Sequence, residues 1–147
     1  MATVLIVEDN WQLLELLRSI LQSEGLQVLV APEPTAATGL IRARPVDVIV
    51  TDFFGGLTPE DCRQSVSEIL AVAGTRPVLG VTGRPFEAGT RPDEFGVDDL
   101  IAKPFDVEDL VERVLDLLDV ARQRYAAARG GSPAGAGEAA AGPGQTD

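Results

Sequence analysis

The sequence predicts an α/β fold in which five strands alternate with helices and form a doubly wound parallel sheet. Short apolar runs rich in Val and Ile recur along the chain, and segments with apolar residues at helical spacing separate them. The strand runs are apolar at almost every position, which is typical of a parallel sheet that helices cover on both faces. The predicted strands are residues 3–7, 26–31, 46–51, 77–81 and 99–102.

Capping residues predict where the helices begin and end. Asn10, Thr58 and Asp106 each stand before a helical pattern, where their side chains can accept a backbone N–H. The fourth helix should lie in residues 84–98, but proline and glycine interrupt this segment, so we expect it to be short or irregular. The other predicted helices lie between Asn10 and Gly25, over residues 33–44, from Pro59 to about Ala73, and from Asp106 to Tyr125.

The chain divides into a folded domain over residues 1–125 and a tail over residues 126–147. The tail consists mostly of Ala, Gly and Pro and has almost no side chains that could form a core, so we expect it to be flexible. We expect no further folded domain after residue 125, because the tail is too biased in composition to fold.

The composition excludes several classes of function. The formal net charge is −11 and the pI is about 4.3, so the protein should repel nucleic acids and anionic lipids. The chain has no His and one Cys, which excludes His-based acid–base catalysis and the usual zinc sites. It contains neither a secretion signal nor an apolar run of about 20 residues. We therefore expect a cytoplasmic protein that binds neither nucleic acid nor membrane directly.

Polar side chains stand where the first, third, fourth and fifth strands end: Glu8, Asp9, Asp52, Thr82 and Lys103. In a parallel sheet these ends meet at one edge, which is where ligands bind. Three carboxylates brought together repel one another unless a cation joins them, and Mg²⁺ prefers such oxygen ligands. Lys103 is the single lysine among 12 basic residues, which favours a site that needs a compact ammonium group.

These groups suit the transfer of a phosphoryl group to an aspartate. Lys103 can neutralise one phosphate oxygen, the Thr82 hydroxyl can donate to another, and Asp52 remains as the nucleophile. Taken singly, each residue also has a structural interpretation: Asp9 as a helix cap, Thr82 as a turn residue and Lys103 as a solvated charge. The presence of all five at one edge favours the interpretation as a phosphoryl acceptor.

Short motifs surround these polar residues, and their order and spacing are specific in combination. They are Glu8-Asp9 after VLIV, Asp52 after VIVT, Thr82-Gly83 after LGV, and Lys103-Pro104-Phe105. Together they resemble the receiver domain of response regulators in two-component signalling, over about residues 2–125. The resemblance implies a flavodoxin-like fold with strand order 2-1-3-4-5, and a stand-alone regulator similar to the chemotaxis Y protein.

The resemblance implies a switch rather than an enzyme that acts on an outside substrate. Asp52 would take a phosphoryl group from a phosphohistidine on a histidine kinase or phosphotransfer protein. The phosphorylated form would then change the binding of a downstream protein that the sequence does not identify. Thr82 and Lys103 would sense the phosphoryl group. The implied ligands of Mg²⁺ are Glu8, Asp9, Asp52 and the backbone carbonyl of Phe54.

Three positions depart from the pattern of the family. Phe54, two residues after the acceptor, cannot orient a water molecule, so we expect slow self-hydrolysis of the acyl phosphate. Phe53-Phe54-Gly55-Gly56 follows Asp52, where the family usually has a Met-Pro pair ahead of a turn, and the two glycines make this loop more pliable. Leu100, three residues before Lys103, stands where the family often has an aromatic residue that swings inward. We therefore expect the output movement to differ from the common one.

Two alternatives stay open. The first is a receiver-like scaffold that binds proteins without being phosphorylated; the presence of all five site residues argues against it, but Gly55-Gly56 and Leu100 leave it open. The second is a Mg²⁺-dependent phosphatase of the haloacid dehalogenase type, which also has an Asp nucleophile. In that class the nucleophile follows the first strand in an Asp-x-Asp arrangement, whereas Glu8 and Asp9 are adjacent here.

Overall fold

A computed structural model describes residues 1–83 and 88–129 of the chain. Its five strands form one parallel sheet in the order β2-β1-β3-β4-β5. The predicted fold class and strand order are confirmed. The strands are β1 (Thr3–Val7), β2 (Gln27–Ala31), β3 (Val48–Asp52), β4 (Val78–Thr82) and β5 (Asp99–Ala102).

The predicted capping residues are confirmed at three helices. The side chains of Asn10, Thr58 and Asp106 each accept a hydrogen bond of 3.1 Å from a backbone N–H in the first turn that follows. These bonds satisfy donors that the helix itself leaves unpaired. The α-helices are α1 (Trp11–Ser23), α2 (Pro34–Ala43), α3 (Pro59–Ser65), α4 (Ser67–Ala73) and α5 (Val107–Ala128).

The prediction of one continuous helix from Pro59 to about Ala73 is wrong, because the chain breaks between α3 and α4. Val66 has φ −120° and ψ 21°, outside the helical range. The hydroxyl of Ser65 donates to the carbonyl of Cys62 at 2.6 Å, and it accepts the N–H of Phe54 at 2.9 Å. A serine that bonds back to its own helix and also holds a neighbouring loop bends the last turn, and the helix ends there.

The segment between β4 and β5 is irregular where the structure describes it, as the sequence predicts. It contains one short 3-10 helix, Pro92–Phe95, and residues 84–87 lie outside the described part. Proline stands at the first position of this helix, and Gly96 with φ 77° ends it. Because L-residues with a side chain rarely adopt that φ, Gly96 fixes the end of the helix.

The core lies in two layers, one on each face of the sheet. Alternate residues of β1 point to opposite layers: Val4 and Ile6 pack towards α1 and α5, whereas Leu5 and Val7 pack towards α2, α4 and the 3-10 helix. All four are at most 1% exposed. The sheet is thus buried on both faces, and its carboxyl edge is left as the place where polar side chains gather.

Helix α5 runs to Ala128, three residues beyond the predicted end of the domain at residue 125. Residues 130–147, most of the predicted tail, lie outside the described residues. Within the described part, none of the helices combines the length and the apolar character needed to span a bilayer.

Candidate functional site

The register of the sheet brings the strand ends that carry the predicted site residues to one edge. Asp52 is the last residue of β3 and pairs with Val81, and Thr82 is the last residue of β4 and pairs with Ala102. Glu8 directly follows β1, and Lys103 directly follows β5. Strand β3 runs from Val48 to Asp52, whereas the predicted strand is residues 46–51, so the predicted acceptor Asp52 belongs to the strand itself.

Lys103 connects two of the predicted acids. Its Nζ donates to Glu8 Oε1 at 3.0 Å and to Asp52 Oδ2 at 3.4 Å. The Glu8 side chain is 4% exposed and that of Asp52 is 15% exposed, so both ion pairs are largely shielded from water. In such a pair the attraction between the charges is stronger than on the surface, but so is the cost of removing them from water, and removing one partner leaves an unpaired buried charge.

Glu8, Asp9 and Asp52 form a cluster that fits a divalent cation. One carboxylate oxygen of each residue lies within 4.8 Å of the other two. Octahedral ligands at about 2.1 Å from Mg²⁺ are about 3 to 4 Å apart, so small movements of these side chains would suffice. Glu8 is already oriented from its other oxygen, Oε2, which accepts the N–H of Asn10 at 2.9 Å. The residues present therefore fit Mg²⁺.

The surroundings raise the pKa of both Asp52 and Lys103, which disfavours the charged form of Asp52 and favours the charged form of Lys103. Burial and the neighbouring charge of Glu8 raise the pKa of Asp52 to about 6, although Lys103 opposes the shift. Burial lowers the pKa of Lys103, but the hydrogen bond to Glu8 and the charge of Asp52 outweigh it, and the pKa lies above the usual 10.5. At pH 7, Lys103 is therefore charged and Asp52 is mostly an anion, which is the form in which a carboxyl group can act as a nucleophile.

Thr82 lies beside this cluster and borders a pocket. Its side chain is buried, and its backbone carbonyl accepts the N–H of Lys103 at 2.8 Å. That bond ties the residue after β5 to the end of β4. The pocket has a volume of about 500 Å³, and its lining residues are Phe53, Gly55, Gly56, Cys62, Thr82 and Gly83.

The loop that follows Asp52 is held from both sides. The N–H of Phe53 donates to the carbonyl of Val81 at 3.3 Å, and the N–H of Phe54 donates to the Ser65 hydroxyl at 2.9 Å. These bonds fix the backbone that carries the predicted carbonyl ligand of Phe54. The role of that carbonyl as a metal ligand remains a prediction.

Two features of the site were not predicted from the sequence. Ser65 anchors Phe54, and a serine in the middle of a helical pattern is the signal that could have indicated it. Gly80 lies in the middle of β4, in contact with the ring of Phe53. A glycine inside an apolar strand is typical of a place where another group approaches closely.

Comparisons with known proteins identify the family of the chain. Residues 4–115 match the family model of the response regulator receiver domain. The sensory transduction protein RegX3 of Mycobacterium tuberculosis is 31% identical over 121 residues, which cover 80% of this chain and 51% of that protein. The transcriptional regulatory protein CpxR of Escherichia coli is 29% identical over 119 residues, which cover 80% of this chain and 50% of that protein. This chain thus spans about half the length of the curated relatives it matches.

Solved structures show the same fold. The chemotaxis response regulator CheY4 of Vibrio cholerae superposes with a TM-score of 0.64 at 24% identity, covering 80% of this chain and 98% of that chain. The receiver domain of the Francisella response regulator 1452 gives a TM-score of 0.65 at 22% identity, covering 81% of this chain and 98% of that chain. With the family match over most of the described residues, the chain belongs to the response regulator receiver domain family.

Proposed function

We propose that this chain accepts a phosphoryl group on Asp52 and thereby switches its binding to a partner protein. The observation that carries the proposal is the position of the Asp52 carboxylate, which lies within 4.8 Å of carboxylate oxygens of Glu8 and Asp9 and accepts a hydrogen bond of 3.4 Å from the ammonium of Lys103. Proteins of the receiver family are in general signalling regulators rather than enzymes, and they interact with histidine kinases or phosphotransfer proteins. The donor is thus a phosphohistidine on such a protein.

In the proposed reaction an Asp52 carboxylate oxygen attacks the phosphorus atom. A new O–P bond forms, the P–N bond of the phosphohistidine breaks, and the leaving imidazole nitrogen takes a proton from solvent. Little else is required of the protein than positioning and charge neutralisation. The ion pair with Glu8 holds the Lys103 ammonium beside Asp52, where it binds a phosphoryl oxygen. The Thr82 hydroxyl, at the end of the next strand, acts as the sensor of the group.

Mg²⁺ belongs to the same proposal. Glu8, Asp9, Asp52 and the backbone carbonyl of Phe54 would hold it, and it would neutralise the charge of the transferred oxygens when bound. The apolar side chain of Phe54 offers no group that could orient an attacking water molecule. The phosphorylated form should therefore be long-lived, and a phosphoryl half-life of seconds would contradict this part of the proposal.

The proposed output is a change in the binding of a partner protein by the receiver domain. Phosphorylation adds roughly −1.5 to −2 charge near pH 7, which can reorganise a nearby surface. With a formal net charge of −11, the chain is a poor direct ligand for nucleic acid. We therefore expect a partner protein to contact the surface around the carboxyl edge of the sheet.

Incubation with Mg²⁺ and acetyl phosphate, followed by intact-mass measurement, tests the proposal. We expect a gain of one phosphoryl group in the wild-type protein and none in Asp52→Asn. Asp116→Asn is the matched control, because Asp116 is an exposed acid on α5 outside the acid cluster, and it should gain the group normally. No gain in the wild type at saturating donor would favour the scaffold, and steady turnover of a phosphomonoester would favour the phosphatase.

A further inference from the structure

The ring of Phe53 lies in a gap that exists because residue 80 has no side chain. A Cβ placed on Gly80 would lie 2.6 Å from Phe53 Cζ, 2.9 Å from Phe53 Cε2 and 3.2 Å from Leu100 Cδ2. Distances below 3.0 Å are not tolerated by real side chains. We call this gap, bounded by Gly80 and Leu100, the Gly80 slot. It lets the residue next to Asp52 pack directly on β4.

The same ring reaches the segment between β4 and β5. The ring centroids of Phe53 and Phe95 are 5.4 Å apart at an interplanar angle of 31°, within the range of favourable aromatic pairs. Phe95 is 3% exposed and is the last residue of the 3-10 helix. Phe53 therefore forms a direct side-chain link from the acceptor strand to that helix.

The 3-10 helix is held largely by local bonds. Arg91 N–H donates to Glu94 Oε2 at 2.9 Å, and the Arg91–Asp93 ion pair at 3.0 Å lies on the surface with both side chains about 70% exposed. Surface pairs of this kind contribute little to stability. The buried ring of Phe95 is thus a principal anchor, and a segment with few buried anchors shifts at low cost in free energy.

The backbone at Phe53 is fixed, whereas its ring borders open space. The N–H groups of Phe53 and Phe54 are bonded to β4 and α3, respectively. The pocket of about 500 Å³ between Phe53 and Thr82 is bordered by Gly55 and Gly56, which have no side chains to fill it. A change at this edge of the sheet can therefore move the ring without moving the strand.

We propose that Phe53 is the positioning residue through which phosphorylation of Asp52 shifts the 3-10 helix Pro92–Phe95. The inference rests on the proposed function, because it takes Asp52 as the acceptor. A phosphoryl group enlarges and charges the side chain that precedes Phe53, at the rim of the same pocket. The ring then changes its contact in the Gly80 slot and with Phe95, and the 3-10 helix shifts with it.

Hydrogen–deuterium exchange of the full chain, before and after acetyl phosphate with Mg²⁺, tests the proposal, with intact mass measured on the same samples. We expect phosphorylation to change amide exchange over residues 92–97 by about threefold or more in the wild type. The variants Phe53→Leu and Gly80→Ala disturb the link from its two sides and should each abolish this response while still gaining the phosphoryl group. Phe105→Leu is the matched control, since Phe105 packs in the other core layer, and it should retain the response.

The outcomes separate this inference from the function on which it rests. Gain of the phosphoryl group with an unchanged response in Phe53→Leu or Gly80→Ala overturns the role of Phe53 alone. Loss of the response in Phe105→Leu as well overturns it too, because the effect would then not be specific to the link. Absence of any mass gain in the wild type overturns both the inference and the proposed function.

Discussion

The carboxyl edge of the sheet has two parts that are held in different ways. The first consists of Glu8, Asp52 and Lys103, which we call the charged part; hydrogen bonds of 3.0 and 3.4 Å join its side chains. The second, the apolar part, consists of the Phe53 ring, the Gly80 slot and Phe95, and van der Waals contact alone holds these together. Asp52 and Phe53 are adjacent in the chain, so the two parts meet at one peptide bond.

Under the proposed function, this difference separates the side chains that would bind the phosphoryl group from the side chains that would respond to it. Opposite charges keep their geometry over a wide range of structural change, because the attraction falls slowly with distance. Packing contacts lose much of their energy with a gap of less than 1 Å. The charged part is therefore suited to hold a ligand, and the apolar part is suited to respond to a small displacement.

The largest expected effect comes from removing the ammonium of the charged part. Lys103→Ala should slow phosphorylation by acetyl phosphate about 100-fold or more, because a fixed positive charge beside the acceptor is lost. Time-resolved intact mass at saturating Mg²⁺ measures the rate. Arg122→Ala removes an exposed basic side chain that pairs with the exposed Asp119, and this variant should stay within about twofold of the wild type. Equal rates in all three proteins would show that the charged part does not act in the reaction.

Binding of Mg²⁺ by the acid cluster Glu8, Asp9 and Asp52 can be measured separately from phosphorylation. Trp11 is the single tryptophan, begins α1 two residues after Asp9 and is 64% exposed, so its fluorescence should report binding at the acid cluster. We expect a saturable change on titration with Mg²⁺, and an increase of about tenfold or more in the Kd of Asp9→Ala. Asp116→Ala, which removes an exposed acid elsewhere, should bind as the wild type does. An unshifted titration in Asp9→Ala would remove Asp9 from the metal site.

Most of the fold and the gathering of the charged residues could be predicted from the sequence, because both follow from short-range patterns. Strands β1 and β5 have the predicted bounds, Thr3–Val7 and Asp99–Ala102. An apolar run that stops at a polar residue marks a strand end, and parallel strands place those ends at one edge. The chemical roles of the residues there remain predictions.

The rest could not be predicted, because it depends on contacts between side chains far apart in the sequence. The break at Val66 depends on Ser65, whose hydroxyl bonds to Phe54, 11 residues earlier. The contact of Phe53 with Phe95 needs the missing side chain at Gly80, and neither partner is marked by periodicity. Local patterns can mark Ser65 and Gly80 as unusual positions, but the residues that they contact follow only from packing in three dimensions.

The apolar part can be disturbed without changing any charge. Gly80→Ala should lower the free energy of unfolding by about 1–3 kcal/mol, because the new Cβ would lie 2.6 Å from Phe53 Cζ. In a Phe53→Leu background the same substitution should cost less than about 1 kcal/mol, since the smaller side chain leaves room. Urea unfolding of the four proteins gives the coupling.

Gly39→Ala is the matched control for that cycle. Gly39 lies in α2, and beyond its own stretch of helix no atom of the described residues lies within 4 Å of an added Cβ, so the substitution should stabilise the protein by about 0.5–1 kcal/mol in either background. If Gly80→Ala lowered the free energy of unfolding equally with Phe and with Leu at position 53, the ring of Phe53 would not occupy the Gly80 slot in solution.

The smallest expected effect is the dependence of stability on pH at Asp52. Its pKa of about 6 in the folded protein lies above the usual 3.8, so ionisation of this group opposes folding. This unfavourable contribution to the free energy of folding is nearly absent below about pH 4, grows as the pH rises to about 6, and reaches its full size above that pH. Asp52→Asn carries no charge and leaves Lys103 its nearer partner, Glu8, at 3.0 Å. Without divalent cations it should therefore be more stable than the wild type by about 1–2 kcal/mol at pH 7.5, after allowance for partial solvent screening.

Urea unfolding at pH 7.5 and at about pH 4 separates this contribution from the other acids of the chain, which are common to both proteins. The advantage of Asp52→Asn should nearly vanish at the lower pH, because the wild-type carboxyl is then protonated in the folded and half protonated in the unfolded state. Asp116→Asn, at an exposed acid, should show no such dependence on pH. A constant advantage at both pH values would mean that the amide stabilises through its hydrogen bonds, and the charged part would then not be under electrostatic strain at neutral pH.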